Sequence, residues 1–309
     1  MRVKRALLGL LLITVLYVGT LVWVDSRNQV FSQLPDVLQA LPALAALSML
    51  SYVLRYLRWH WLLRRAGHAL PWAKGFLAYL TGFAFTATPG KVGELVRIRY
   101  FLRAGVAPAT VIAAFVYERA FDLIAVLLLA TLAVQQTDVF AYVLAFVVIF
   151  LGIVVAVACN PKWLGKVSAH LRLRRFSRLS RITRTLGQGF SGARRWLNPI
   201  DMLVSLGFGI LAWTVVSIAF GWLLQEVGIS IPGLAALAIY PLAMLAGAAS
   251  MLPGGVGSTE ITIIALLAVY AVPFNLATLV AVGIRFATIW FSVVCGFISV
   301  AILEFWRQR

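Results

Sequence analysis

Cysteine, histidine and acidic side chains are scarce in this chain. It has two Cys, three His and ten Asp or Glu in 309 residues, and all charged residues together make up only 12%, against about 25% in soluble domains. So few cysteines exclude a disulfide scaffold, and so few charges exclude a soluble or disordered chain. Because no Cys, His or acidic residues have the spacing of metal ligands, we expect no metal and no cofactor.

Apolar residues dominate instead, at 62% of the sequence. They recur in runs of about 20 residues, the length that crosses a bilayer as a helix. The first run is too long for a signal-peptide core and has no Ala-x-Ala cleavage site, so we interpret it as a span. The sequence therefore predicts an all-α, multi-pass membrane protein. Its six predicted spanning helices cover residues 6–24, 37–57, 109–134, 139–159, 200–225 and 275–303.

Two further apolar segments are interrupted by proline and glycine. Residues 75–88 are apolar for 14 residues, about 21 Å of helix where the hydrocarbon core is about 30 Å thick. Residues 234–252 end at a similar break. Broken backbone at membrane depth must be covered by protein or line a wet cavity, so we expect each segment to form a re-entrant hairpin. The predicted turn residues are Pro89, Gly90 and Gly93 in the first hairpin and Pro253, Gly254, Gly255 and Gly257 in the second.

Positive charge is concentrated on one predicted side of the membrane. The chain has 27 Lys and Arg against 10 Asp and Glu, a net charge of +17, which in a soluble protein would indicate nucleic-acid binding. Here 23 of the 27 fall in segments predicted to face the cytoplasm, as the positive-inside rule describes. They include the basic residues at the end of the second predicted span, Arg55, Arg58, Arg64, Arg65 and Lys74. We therefore expect no nucleic-acid partner, a bacterial cytoplasmic (inner) membrane location, and both termini in the cytoplasm.

Residues 160–199 hold ten of these basic residues and no acidic one. Apolar side chains recur there at helical spacing, which is typical of a helix lying on an anionic leaflet. A solvated cytoplasmic loop explains the charge equally well. Anionic inner-leaflet lipid is therefore a candidate partner of this segment.

The pattern Pro-Gly-x-Val-Gly occurs twice, at residues 89–93 and 253–257. The first copy follows a predicted inward-going span and the second an outward-going one. We interpret residues 37–134 and 200–303 as inverted repeats, joined by a span and a basic segment at 139–199. Half-helices broken by Gly and Pro in inverted repeats mark transporter sites near the bilayer midplane; two simple kinks absorbed by packing are the alternative.

Ionisable side chains at or beside membrane depth form the candidate site. Each costs roughly 2.5–3.5 kcal/mol at the bilayer centre, so they must pair, face the bundle interior or line water. We expect Arg119 to pair with an acid on its own helix, and Arg285 to pair with Glu118, Asp122 or Glu260. In a functional site, an acid would bind a cationic head group or a proton. A phosphate would be bound by Arg285, Arg97 or Lys91. In a structural network, the same charges would lock the repeats together. The candidate residues are Lys91, Glu94, Arg97, Glu118, Arg119, Asp122, Glu260 and Arg285.

Signatures of catalysis are absent from the sequence. Ser258 and Thr259 follow a glycine, but no Gly-x-Ser-x-Gly motif and no accompanying His indicate a nucleophile. We therefore expect that the chain is not an enzyme.

Three segments carry a resemblance to a known family. They are residues 88–97 (TPGKVGELVR), 117–122 (YERAFD) and 252–260 (LPGGVGSTE). In this order they resemble the signatures of the lysylphosphatidylglycerol synthase transmembrane-region family, flippase-like integral membrane proteins of the UPF0104 type. The resemblance covers nearly the whole chain. It implies that the Pro-Gly hairpins are functional, together with Glu94, Arg97, Glu118, Arg119, Asp122 and Glu260.

The resemblance also implies what the chain transports in general terms. In fused members of that family, the membrane domain is held to move an aminoacylated phospholipid between leaflets, and a separate soluble domain makes that lipid. The chain ends directly after its last predicted span, so we expect no aminoacyl transfer here. We expect a lipid transporter or flippase that moves the head group of a phospholipid, aminoacylated or isoprenoid-linked lipid through a polar groove between the repeats.

Two alternatives remain at this point. The first is a membrane scaffold that does not transport and uses residues 160–199 to bind anionic lipid or recruit an enzyme. The second is a membrane-embedded lipid-modifying enzyme, which the lack of a nucleophile or metal site disfavours. The sequence leaves the lipid, the direction of movement and the oligomeric state open.

Overall fold

The computed structural model describes residues 34–134 and 191–306, together with isolated positions between 142 and 189. The predicted spans at 6–24 and 139–159, most of the basic segment at 160–199, and the basic tail at 307–309 lie outside the described residues. Every regular element in the described part is helical, as the apolar runs predicted.

The first half contains one long helix, an interrupted hairpin and a second long helix. Helix α1 is Leu34–Arg65, and the first leg of the hairpin is α2, Trp72–Leu80, which tightens into a 3-10 turn at Thr81–Phe85. A second 3-10 stretch at Pro89–Val96 leads into the short helix α3, Arg97–Arg103, which is followed by α4, Pro108–Val134.

The second half repeats this order. Helix α5 is Pro199–Glu226, and the second hairpin consists of α6, Gly233–Ala249, a 3-10 turn at Pro253–Gly255, and α7, Ser258–Ala268. Helix α8, Phe274–Arg285, continues through a π-turn at Phe286–Trp290 into α9, Phe291–Phe305.

Within the described residues, three helical units are long and apolar enough to cross a membrane. They are α1, α5 and the continuous unit Phe274–Phe305, with mean hydropathy of 1.8, 2.1 and 2.3 over their most apolar windows. Large apolar side chains lie exposed on the outside of the bundle, among them Leu203, Ile261 and Val294. An exposed apolar surface of this kind is stable in lipid and unstable in water, so the chain is a multi-pass membrane protein.

Helix α1 extends eight residues beyond its predicted end at Leu57. The extension persists because Trp59, Leu62 and Leu63 are buried in the apolar core. Arg55 and Arg58 are also buried inside the protein, which differs from the prediction that they lie on the cytoplasmic face.

Each hairpin folds back on itself, and the two hairpin turns meet. The 3-10 turn of the first hairpin packs on α9 at Gly296, where an added Cβ would lie 2.1 Å from the backbone nitrogen of Ala84. At the tip of the second hairpin, an added Cβ on Gly254 would lie 3.4 Å from the Cα of Ala87 in the first. The interrupted segments thus lie side by side within the bundle.

Candidate functional site

Helix α4 carries two buried acids one turn apart. Asp122 accepts hydrogen bonds from Arg55 Nη1 and Arg58 Nη2 of α1, both at 2.7 Å, and lies 3.2 Å from Arg119 Nη2 on its own helix. Three guanidinium groups therefore surround one carboxylate. The predicted pairing of Arg119 with an acid of its own helix is present, and the arginines of α1 are additional partners.

The second acid of α4, Glu118, links α4 to the first hairpin. The Tyr79 hydroxyl of α2 donates a hydrogen bond to its Oε1. Arg58 Nη2 and Arg119 Nη2 each lie 3.3 Å from the same oxygen, and Arg97 Nη1 lies 3.5 Å from Oε2. Because these partners come from α1, α2, α3 and α4, this carboxylate holds four elements together.

Arg97, a predicted phosphate ligand, is fully buried. Its guanidinium binds the Glu94 carboxylate and lies 4.6 Å from the ring centre of Tyr79 and 4.9 Å from that of Trp59. The Thr86 hydroxyl donates to Glu94 Oε1 at 3.0 Å. These contacts give Arg97 a role in fixing the first hairpin, because its charge is enclosed by protein on every side.

Among the described side chains, the cluster contains four arginines and three acids, a formal net charge of +1. Most of its members are enclosed: the side chains of Arg58 and Arg97 are 1% and 0% exposed. Arg119 differs, since its side chain is 25% exposed. The excess positive charge of the cluster is therefore accessible at Arg119. The cluster consists of Arg55, Arg58, Glu94, Arg97, Glu118, Arg119 and Asp122.

The second hairpin has its own ion pair, which is neutral. Arg285 Nε donates to Glu260 Oε1 at 2.9 Å, and its Nη2 donates to the carbonyl oxygen of Gly254. Glu260 also accepts a hydrogen bond from the Gly257 N–H at 2.8 Å. The structure thus selects Glu260 from the three predicted partners of Arg285, because both side chains hold the same turn.

The two Pro-Gly motifs form turns, but of different kinds. Gly254, Gly255 and Gly257 have φ angles of 64°, 64° and 85°, values that side-chain-bearing residues rarely adopt. In the first motif, Pro89 opens a 3-10 helix and the Gly93 N–H donates to Thr88 Oγ1 at 2.7 Å. The side chains at residues 89–92, including that of Lys91, lie outside the described part.

The two halves share one further spacing. Glu260 and Arg285 are 25 residues apart, and Glu94 and Arg119 have the same separation. Arg285 is fully buried and paired, whereas Arg119 is partly exposed. The two arginines at this separation therefore differ in their access to the surroundings.

Two cavities meet at Arg119. The larger, about 330 Å³, lies between the hairpins and is mostly apolar. The smaller, about 80 Å³, also has a largely apolar wall, but most of its lining residues carry a hydroxyl or a charge. Arg119, Trp213 and Met244 line both cavities. The larger cavity is lined further by Thr88, Asp122, Leu123, Val126, Leu245, Gly247, Ala248, Leu252, Gly254, Gly255 and Thr259.

Sequence reasoning missed three members of the site: Arg55, Arg58 and Tyr79. Both arginines follow an apolar run directly, which is also where cytoplasmic basic residues occur. Their separation by three residues places them on one helix face with the buried Ser51 and Trp59. This shared face can be recognised only if the helix is known to continue through Arg55 and Arg58.

Comparisons with known proteins identify the family of the chain. It is 28% identical over 122 residues to a protein described as a UPF0104 membrane protein from Methanothermobacter thermautotrophicus, an alignment that spans 38% of this chain and 36% of that relative. No solved structure matches. The model of the family described as "Lysylphosphatidylglycerol synthase TM region" matches residues 6–296. The chain belongs to this family of membrane proteins.

Proposed function

We propose that the protein is a lipid transporter of the flippase type. It moves a phospholipid head group across the membrane through the groove between the two hairpins, while the acyl chains stay in the bilayer. One observation carries this proposal: the partly exposed cation Arg119 lines both the apolar cavity between the hairpins and a second cavity whose lining residues mostly carry a hydroxyl or a charge.

The cavity linings fit the two parts of a lipid. The larger cavity has the apolar walls that a glycerol backbone and the start of an acyl chain need, supplied by residues such as Leu123, Val126 and Leu245. The smaller cavity has hydroxyl groups from Ser48, Thr288 and others, which replace water around a polar head group. A scaffold has no need of such a pair of cavities.

The architecture agrees with transport. Both halves carry a Pro-Gly break, and the broken segments contact each other within the bundle. We infer that they are inverted, re-entrant repeats in a cytoplasmic membrane with both termini inside, as the distribution of basic residues predicts. We further propose that the chain acts without enzymatic chemistry, because the groups that meet at the cavity are charges in ion pairs.

The test is lipid movement in vesicles that contain the purified full chain. The probes are phosphatidylglycerol and phosphatidylcholine carrying a fluorescent label on one acyl chain, and dithionite quenches the label in the outer leaflet only. We expect quenching of the inner-leaflet pool to proceed with the wild-type protein. Ala248 lines the larger cavity and is exposed to it, so Ala248→Phe fills the path and slows the movement.

The matched control is Ala301→Phe, the same substitution at an exposed position of α9 away from both cavities. It leaves the rate unchanged. Equal rates in both variants, or no movement of either lipid by the wild-type protein, would contradict transport through this groove. Lipid binding without movement would instead favour the scaffold function.

A further inference from the structure

We propose that the cavity at Arg119 is selective for a phosphate-bearing lipid head group with net negative charge. It would exclude zwitterionic heads such as phosphocholine. This inference names the substrate class of the site and so rests on the proposed function for its biological meaning, although binding itself is measurable without transport.

The cluster around the cavity carries an excess of positive charge. Its four arginines outnumber its three acids, and the excess is exposed at Arg119. In a low-dielectric interior, an uncompensated charge is costly. An anion that enters the larger cavity neutralises the cluster, whereas a zwitterion brings an additional positive charge close to three arginines.

The described acids beside the cavities are already engaged in ion pairs. Asp122 lines the larger cavity but is held by Arg55, Arg58 and Arg119. Glu94 lines the smaller cavity and binds Arg97 and the Thr86 hydroxyl. Within the described ranges, no acid beside these cavities is left to pair with a quaternary ammonium.

The exposed part of the Arg119 guanidinium supplies a charged hydrogen-bond donor at the cavities. Arg119 Nη2 lies near both acids of α4, yet the side chain is 25% exposed and lines both cavities. A guanidinium on a cavity wall is a donor that suits phosphate oxygens.

The experiment is calorimetric titration of the purified full chain in detergent with three probes. Dihexanoyl phosphatidic acid and dihexanoyl phosphatidylcholine have the same acyl chains and differ in head-group charge, and inorganic phosphate has no acyl chains. We expect the phosphatidic acid to bind about tenfold or more tightly than the phosphatidylcholine, because an extra charged hydrogen bond has that worth. Weaker binding of inorganic phosphate would assign the site to lipid; equal binding would assign it to free phosphate and overturn the lipid part of the proposal.

Variants test the residue assignment. Arg119→Gln lowers the affinity for phosphatidic acid to that for phosphatidylcholine. Arg64→Gln removes the same charge from an exposed position at the end of α1 and leaves the affinity unchanged. If Arg119→Gln fails to elute as a folded peak, two other variants take its place. Arg119→Lys keeps the charge and retains selectivity for phosphatidic acid. Ala248→Phe fills the cavity and loses binding.

Two results would overturn the proposal: equal affinity for the two lipids, or unchanged binding of phosphatidic acid in Arg119→Gln. These outcomes are separate from failure of the proposed function. Selective binding without lipid movement in vesicles would refute transport and keep the anion site. Movement of both labelled lipids at equal rates, independent of Arg119, would support transport and refute the anion site.

Discussion

Neutralising Asp122 tests whether the charge cluster holds the bundle together. The substitution Asp122→Asn keeps the side-chain shape but removes the carboxylate shared by three arginines, at 2.7, 2.7 and 3.2 Å. The cluster then changes from a formal charge of +1 to +2 in a buried place. Removing one partner of a buried ion pair costs about 3–5 kcal/mol, so we expect a loss of stability in that range.

The assay is the midpoint of thermal unfolding in detergent, followed by the loss of the folded peak in size-exclusion chromatography. The control is Glu304→Gln, which breaks the partly exposed pairs with Arg99 and Arg103 and costs at most about 1 kcal/mol. Adding Arg55→Gln to Asp122→Asn restores the formal charge of +1 and recovers at least about 1 kcal/mol through the coupling of the two sites. The reasoning fails if Asp122→Asn is no more harmful than the control, or if the double variant is less stable than Asp122→Asn.

The remaining predictions concern transport and packing. Glu118→Gln and Arg285→Ala each lower labelled-lipid movement in vesicles about tenfold or more, compared at equal amounts of protein that elutes as a folded peak. The first change unbalances the cluster and the second frees the second hairpin; wild-type rates in both variants would contradict the site. Gly296→Ala places a Cβ 2.1 Å from the Ala84 nitrogen and costs about 1–3 kcal/mol by overpacking, measured as a lower unfolding midpoint. The same change at Gly207, which has open space around it, is neutral or stabilising in a helix; equal effects of the two would refute the close packing.

The elements that follow from segment length were predictable. Spans expected at 109–134, 200–225 and 275–303 coincide with α4, α5 and the unit of α8 and α9 to within two residues at each end. Both breaks fall where Pro-Gly was found, because a proline removes a helical hydrogen bond and glycine permits the left-handed turn. These effects are local, so the sequence contains them directly.

The composition of the site depended on tertiary contacts and was predictable only in part. The acids of α4 were recognisable because charge is rare inside a long apolar helix. Arg55 and Arg58 were assigned to the cytoplasmic face because a basic residue after an apolar run has two explanations, a loop or a buried pair. Only the packing of α1 against α4 distinguishes the two explanations, and this packing cannot be inferred from the local sequence of α1.

The difference between the two halves bears on how the groove works. Glu94 and Arg119 have the same separation as Glu260 and Arg285, yet Arg285 is enclosed and holds the turn of its hairpin, whereas Arg119 faces the cavities. If the protein transports by alternating access, one half must be closed while the other is open, because two halves in identical states would leave the site open to both sides of the membrane or to neither. In any single conformation the two halves must then differ. The difference in exposure between Arg119 and Arg285 is a difference of this kind.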